Sequence, residues 1–193
     1  MINNTFEIPS FVSGIKLYYD KELGASVSPF SELGGKLKVI NKHNRIKVMH
    51  SLFYYCSKLT EIDLSEFDMT GVTNVNNMFA KCGISNFDGF KAKLVSVKYM
   101  NSMFYMCERL REVDISKWVV PNVETTYSMF SFATHLERIK LPSDGFPKLV
   151  NAKEMFFNCN SLREIKMGSR FKLSQDYIDK DMFYGVNLEI KEK

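Results

Sequence analysis

Long apolar segments are absent from this 193-residue sequence, and so is a strong charge of either sign. No stretch approaches the ~20 apolar residues that a membrane-spanning helix needs. The first residues, MINNTFEIPSFVSG, lack the basic start and the apolar run of a secretory signal. Lysine and arginine are interspersed with acidic residues and leave a net charge of only +4, without the basic patch of a nucleic-acid reader. We therefore expect no membrane span, no specific nucleic-acid partner and a cytoplasmic location; a trimmed fragment of a cell-surface protein is the alternative.

Catalytic signatures are missing as well. The sequence has no Gly-rich phosphate loop, no Gly-x-Ser-x-Gly and no His-Glu-x-x-His motif. Its three histidines are isolated from one another: His43, His50 and His135. The sequence therefore predicts a protein that is not an enzyme and that needs no cofactor.

Cysteine is scarce, with four residues, and no two of them form a Cys-x-x-Cys motif, so no metal site is expected. Cys56, Cys82 and Cys107 occupy the same position in successive copies of a repeat, and Ala133 occupies it in the next copy. A position that accepts either cysteine or alanine favours a small buried side chain, which predicts free buried thiols. A disulfide between adjacent copies is the alternative, because neighbouring turns of a stacked array can meet the usual Cα spacing of ~4.4–6.8 Å.

The repeat is the main feature that the sequence does contain. A hydrophobic residue followed by Phe recurs at steps of 26, 25, 26, 26 and 27 residues. The six pairs are Leu52-Phe53, Met78-Phe79, Met103-Phe104, Met129-Phe130, Met155-Phe156 and Met182-Phe183. A fixed step of this size is typical of a stacked repeat array, in which each unit buries its apolar edge against its neighbours.

Each repeat contains two shorter periods. In VTNVNNMFAKC, residues 72–82, the spacings between Val72, Val75, Phe79 and Cys82 are 3, 4 and 3, which is typical of one face of a short helix. Ile62 and Leu64 are spaced two apart between polar residues, as in a strand with one buried face. The predicted fold is an α/β right-handed solenoid of about 26 residues per turn. It has a parallel sheet on one side and short helices on the other.

The strand segments read LTEIDL, LREVDI, LERIKL and LREIKM, and GVTNVNNMFAKC lies between the first two of them in the sequence. Together these motifs resemble the BspA-like leucine-rich repeats of bacterial surface proteins. The resemblance covers roughly residues 46–190. It implies a leucine-rich-repeat solenoid that acts as a binding or adhesion module, and it implies no enzyme.

The repeats also suggest how the chain is organised. Residues 1–44 break the period and are expected to form an N-terminal cap with a degenerate repeat around Phe30. Residues 45–193 are expected to form the repeat array, with Leu188 and Ile190 in a final capping strand. We expect both parts to belong to a single structural domain.

The solvent face of the predicted sheet is the first candidate site. Its polar positions form two rows that change sign along the array, which favours a face that binds a protein partner. The predicted contact residues are Glu61, Asp63, Glu112, Asp114, Arg138, Lys140, Glu164 and Lys166. The alternative for the Asp-x-Ser segments is local turn chemistry, in which the carboxylate accepts backbone N–H groups.

An aromatic strip beside the anchor Phe residues is the second candidate. Its predicted members are Tyr54, Tyr105, Phe157 and Tyr184. These rings either cover the edge of the core or form an interface, such as that of a homodimer. The sequence thus predicts a protein-binding module, most simply an intracellular inhibitor or adaptor. Two alternatives stay open: a ligand-binding fragment of a cell-surface adhesin, and a self-assembling structural module.

Overall fold

The fold consists of short strands joined by turns. The computed structural model describes residues 4–7, 18–20, 25–28, 30–40, 47–89, 93–168 and 181–186. The strands in these ranges are β1 (Asn4–Glu7), β2 (Tyr18–Asp20), β3 (Ala25–Val27), β4 (Gly35–Ile40), β5 (Leu59–Asp63), β6 (Asn86–Phe87), β7 (Glu112–Asp114), β8 (Arg138–Lys140) and β9 (Glu164–Lys166). No helix occurs within the same ranges.

Parallel pairing between successive coils builds the sheets. Strands β6, β7, β8 and β9 form one parallel sheet in sequence order, and β1, β4 and β5 form a second parallel sheet. Strands β2 and β3 pair antiparallel. Val113 pairs with Ile139 and Ile139 with Ile165, so equivalent residues are 26 positions apart. The chain is therefore a parallel β-solenoid of about five turns.

A column of phenylalanine rings fills the interior. Phe53, Phe79, Phe104, Phe130 and Phe156 are at most 1% exposed. Neighbouring rings in this column are nearly parallel, with centroids 5.3–5.6 Å apart. Such stacked pairs contribute about 0.5–1.5 kcal/mol each beyond the burial of their area. The repeat of Phe in the sequence thus becomes one buried stack, as its period predicts.

The segments predicted to be short helices are chains of turns. In the coil of Phe79, the N–H groups of Asn77, Phe79 and Lys81 donate to carbonyls of the next coil over 2.8–2.9 Å. The N–H groups between them, those of Met78 and Ala80, donate to the carbonyl three residues earlier. An α-helix would instead direct each N–H to the carbonyl four residues earlier. The prediction of short helices, and with it the α/β class, is not confirmed.

Backbone conformation gives the physical reason. The residues two before and two after each anchor Phe, from Phe53 to Phe156, have a positive φ. They are Ser51, Tyr55, Asn77, Lys81, Ser102, Met106, Ser128, Phe132, Glu154 and Asn158, with φ between 51° and 63°. A single positive φ at the third position is the mark of a type II turn, and an α-helix cannot contain it. Spacings of 3 and 4 therefore place apolar residues on one side of a turn ladder as well as on one face of a helix.

A second ladder joins the coils at the start of each turn segment. Isolated parallel bridges run through Val48, Asn74, Tyr99, Thr125 and Asn151. Asparagine side chains reinforce this ladder. The Asn76 carboxamide oxygen accepts the backbone N–H of Asn101 at 2.7 Å, and the Asn101 oxygen accepts that of Tyr127 at 3.0 Å. Each coil is therefore held on two sides by hydrogen bonds to the next one.

The N-terminal part continues the same stack. The Phe30 ring lies 5.5 Å from that of Phe53, and β4 pairs with β5 in parallel. Around Phe30 the chain thus packs as one more, irregular layer. The proposed division into residues 1–44 and 45–193 stays a prediction, and the expected final strand at Leu188 and Ile190 lies outside the described residues.

Candidate functional site: the outer groove of the four-stranded sheet

The outward side chains of β6 to β9 enclose an open groove of about 340 Å³. We call it the outer groove. One wall consists of the first residue of each strand: Asn86, Glu112, Arg138 and Glu164. The other wall consists of Asp88, Asp114, Lys140 and Lys166. The second residue of each strand lies between the two walls and packs against the core, because successive side chains of a strand alternate between the two faces.

Six of the eight predicted contact residues line this groove, and two lie elsewhere. Glu61 and Asp63 belong to β5, which pairs with β4 in the other parallel sheet. The Glu61 carboxylate forms an ion pair with Lys36 at 2.5 Å. The Asp63 carboxylate accepts the backbone N–H of Ser65 at 2.9 Å, as a turn-forming aspartate does. The groove also contains Asn86 and Asp88. The sequence indicates them as well, because they occupy the same repeat positions as Glu112 and Asp114.

Ion pairs cross between neighbouring strands along the first wall. Arg138 pairs with Glu112 on the preceding strand. Just outside the wall, the Glu137 carboxylate forms an ion pair with the Arg111 guanidinium at 2.9 Å and a second one with that of Arg163. The three coils carry Arg-Glu, Glu-Arg and Arg-Glu at these two positions, so every neighbour along either row has the opposite sign. Glu137 was not predicted as a functional residue, although this alternation of dipeptides is visible in the sequence.

Asp114 and Lys140 connect the second wall. The Lys140 ammonium lies 2.7 Å from the Asp114 carboxylate. The same carboxylate accepts the N–H of Ser116 at 3.1 Å and its hydroxyl at 2.6 Å. Partial desolvation acts to raise the pKa of Asp114, but the hydrogen bonds from Lys140 and Ser116 outweigh it and lower that pKa. Asp114 thus combines the turn chemistry predicted for the Asp-x-Ser segments with a cross-strand ion pair.

The aromatic strip is continuous over only part of the array. Ring centroids are 5.8 Å apart between Tyr105 and Phe132, 5.5 Å between Phe132 and Phe157, and 5.0 Å between Phe157 and Tyr184. Phe132, which the prediction omitted, lies two positions after its anchor Phe130. Its ring contacts both Tyr105 and Phe157 and so connects their coils. Tyr184 is 60% exposed, whereas the other three rings are half-buried.

Tyr54, the remaining predicted member of the strip, lies in a separate cluster. Its ring centroid is 6.1 Å from that of Tyr55. The Lys81 ammonium lies 5.1 Å from the centroid of the Tyr55 ring and 5.9 Å from that of Tyr54. A cation at this distance from an aromatic face is attracted to it. The strip is therefore two ring clusters, and a lysine contacts the one formed by Tyr54 and Tyr55.

All four cysteines are free and buried. The thiols of Cys107 and Cys159 donate to the carbonyls of Phe79 and Phe130 at 2.9 and 3.0 Å. Burial raises the pKa of the Cys82 and Cys159 thiols to about 12. Burial also raises the pKa of Cys56 and Cys107 above its ordinary value. These thiols act as small core residues, as their repeat position predicts.

The described ranges contain neither a metal-binding cluster nor a helix that could span a membrane. No group of three or more His, Cys, Asp or Glu residues there has the arrangement that could hold a metal ion. None of the elements described is a helix with the length and apolarity to cross a bilayer.

Comparison with known proteins gives a family. Residues 32–143 and 91–189 each match the family described as Mycoplasma protein of unknown function, DUF285. No curated protein and no solved structure matches the chain. The two matched spans overlap and together cover most of the sequence, including every coil with a buried anchor Phe. The chain therefore belongs to the DUF285 family.

Proposed function

We propose that this chain is a protein-binding module and that the outer groove is its contact surface. The observation that carries the proposal is the groove itself, which has charged side chains on both walls and an underlying sheet that is held in register. Preformed surfaces bind with a smaller loss of conformational freedom than mobile ones. The coil spacing repeats the same polar positions at intervals of ~4.8 Å, which suits a partner that follows the solenoid axis.

A binding role is also favoured over catalysis. The carboxylates of the groove are open to solvent or engaged by cations, as in the pairs Glu112–Arg138 and Asp114–Lys140. General acid–base catalysis instead needs a group with a suitable pKa beside a bound substrate and shielded from water.

The type of repeat gives a second line of support. The strand motifs resemble BspA-like leucine-rich repeats, and that resemblance implies a binding or adhesion module. Four free thiols are compatible with a reducing compartment, so we propose an intracellular inhibitor or adaptor. A fragment of a cell-surface adhesin is the alternative. Protease treatment of intact cells distinguishes them, because it releases an adhesin and leaves an intracellular protein whole.

Charge reversal in the groove tests the proposal. A partner is first isolated on the wild-type chain from its native cell and identified. The Arg138→Glu/Lys140→Glu variant should then bind that partner at least tenfold more weakly, because two contacts become repulsive. The matched control is Arg109→Glu, which changes an exposed residue outside the groove. Unchanged partner affinity in the folded double variant contradicts the proposed site.

One observation favours a second candidate, self-association through the aromatic strip. The ring of Tyr184 is 60% exposed and stacks on that of Phe157. If the strip joins two copies, light scattering shows a mass that rises with concentration, and Tyr105→Glu restores the monomer. A constant monomer mass rejects this candidate.

A further inference from the structure

The two ends of the outer groove differ in charge. At the β6–β7 end the lining residues include three carboxylates and no cation: Asp88, Glu112 and Asp114. At the β8–β9 end they include three cations and one carboxylate: Arg138, Lys140, Lys166 and Glu164. The groove as a whole is nearly neutral but has an acidic end and a basic end.

The ion pairs within the groove leave the charged residues at its two ends most available to a ligand. Arg138 and Lys140, in the middle, are already engaged by Glu112 and Asp114. Asp88 is exposed, and no ion pair to it occurs in the described part of the chain. The Lys166 side chain is 61% exposed, and within the described residues its ammonium forms one ion pair, at 3.0 Å, with Glu164 of its own strand. An incoming ligand therefore meets an available carboxylate at one end and an exposed ammonium at the other.

The length of the groove limits what can satisfy both ends. From β6 to β9 there are three strand spacings of ~4.8 Å, or about 14 Å. An extended peptide rises ~3.4 Å per residue and places every second side chain on the same face. Residues i and i+4 of such a peptide are thus about 13–14 Å apart on one face, which matches the separation of the two ends.

We propose that the outer groove binds an extended segment of its protein partner that carries a basic residue and an acidic residue four positions apart. The basic side chain lies at Asp88 and the acidic one at Lys166. This inference rests on the proposed function and specifies the partner's chemistry. Polyanions such as nucleic acids fit poorly, because they would meet the carboxylates of the β6–β7 end.

Short synthetic peptides provide the test. Four peptides of the same length serve as probes, and all their other side chains are uncharged. One carries Lys and Glu four positions apart, one carries two Lys at those positions, one carries two Glu there, and one carries Lys and Glu side by side. Each is titrated into the full-length protein at low ionic strength, and amide chemical shifts report both the affinity and the site. The probe with Lys and Glu four apart should bind about three- to tenfold more tightly than the others, since each additional exposed ion pair contributes modestly. Its shifts should concentrate on residues 86–88 and 164–166.

Variants of the two ends test the assignment of charge. Asp88→Asn should remove the preference for the bipolar probe over the two-Glu probe, and Lys166→Gln should remove its preference over the two-Lys probe. The matched controls are Glu108→Gln and Arg109→Gln, which neutralise exposed charges outside the groove. The controls should leave all four affinities unchanged.

The outcomes separate this inference from the proposed function. Equal binding of all four probes, or no binding of any, overturns the inference. If Arg138→Glu/Lys140→Glu still weakens binding of the natural partner at least tenfold in that case, the proposed function stands with a different ligand chemistry. If the two-Glu probe binds most tightly and shifts the amide signals of Arg138, Lys140 and Lys166, the ligand is acidic. This result would also overturn the bipolar assignment.

Discussion

At the scale of single residues, the left-handed positions of the turn ladder distinguish this fold from a helical repeat. Two residues in each regular coil have φ near +55°, and none of them is glycine. For L-residues this conformation costs about 1–2 kcal/mol, so hydrogen bonds to the next coil must offset it. Asparagine at two of these positions, Asn77 and Asn158, reduces the cost, because its side chain tolerates the region better than most.

Ser102 permits a test of this backbone conformation. Its φ is 53°, so Ser102→Val should destabilise the protein by about 1–3 kcal/mol, whereas Ser102→Gly should stay within about 1 kcal/mol of wild type. Urea unfolding measures both values. The control is Ser96→Val, at a half-buried turn residue without a positive φ. Equal effects of valine at both sites would contradict the turn ladder.

The buried thiols predict a pH dependence. Burial raises the pKa of Cys82 from 9.0 to about 12, so the folded state favours the neutral thiol. This contribution to stability is complete below pH 9.0 and is lost as the pH rises toward 12. The free energy of unfolding should therefore fall above pH 9, and the fall should be smaller in Cys82→Ala. Equal slopes for the two proteins would show that Cys82 does not ionise on unfolding.

At the scale of elements, we expect charge alternation to help specify how neighbouring strands align. The apolar residues of successive coils are nearly alike and discriminate poorly between registers. The dipeptides Arg111-Glu112, Glu137-Arg138 and Arg163-Glu164 have opposite signs at every cross-strand contact. Each exposed pair contributes little, but a row of like charges would be unfavourable at each contact.

Reversal of the central charge tests this role. Glu137→Arg places three arginines in line and should destabilise the protein by about 0.5–2 kcal/mol at low ionic strength. The effect should diminish near 1 M salt, where charges are screened within about 3 Å. Adding Arg111→Glu and Arg163→Glu to Glu137→Arg should restore stability. A loss that is independent of salt and is not rescued would point to packing instead of charge.

Much of the element scale was predictable from the sequence, and the exceptions have clear causes. Val113 and Ile139, each between polar residues, indicated strands, and these pair as expected. The turn segments were misassigned as helices, since spacing alone does not report the sign of φ. Glu61 and Asp63 were assigned to the same face as Glu112, but β5 belongs to the other sheet, where no pairing with β6 occurs among the described residues.

At the scale of the whole molecule, stability comes from contacts between coils. Phe104 has a stacked ring on both sides, at 5.3 Å in each direction, whereas Phe183 stacks on Phe156 and is only partly buried. Phe104→Ala should therefore cost about 3–5 kcal/mol, and Phe183→Ala clearly less. Urea unfolding of both variants gives the comparison. Equal losses would contradict a column with a strong centre and a weaker end.

The repeat also explains how much of the site the sequence could predict. Six groove residues followed from the period, because equivalent positions stack at one place in every coil. The pairing of Arg138 with Glu112, and the resulting availability of Asp88 and Lys166, depends on side-chain geometry that the period does not report. The two overlapping family matches, 32–143 and 91–189, agree with a sequence that repeats along its length.

Lysine footprinting shows directly whether a partner binds in the outer groove. Lys140 and Lys166 in the groove and Lys153 outside it are similarly exposed, at 51%, 61% and 47% of the side chain. Labelling with an amine-reactive reagent, read by mass spectrometry, compares their rates with and without the bound partner. Binding in the outer groove should protect Lys140 and Lys166 and leave Lys153 unchanged. Unchanged labelling of Lys140 and Lys166, with protection at Lys81 beside the aromatic rings instead, would contradict it.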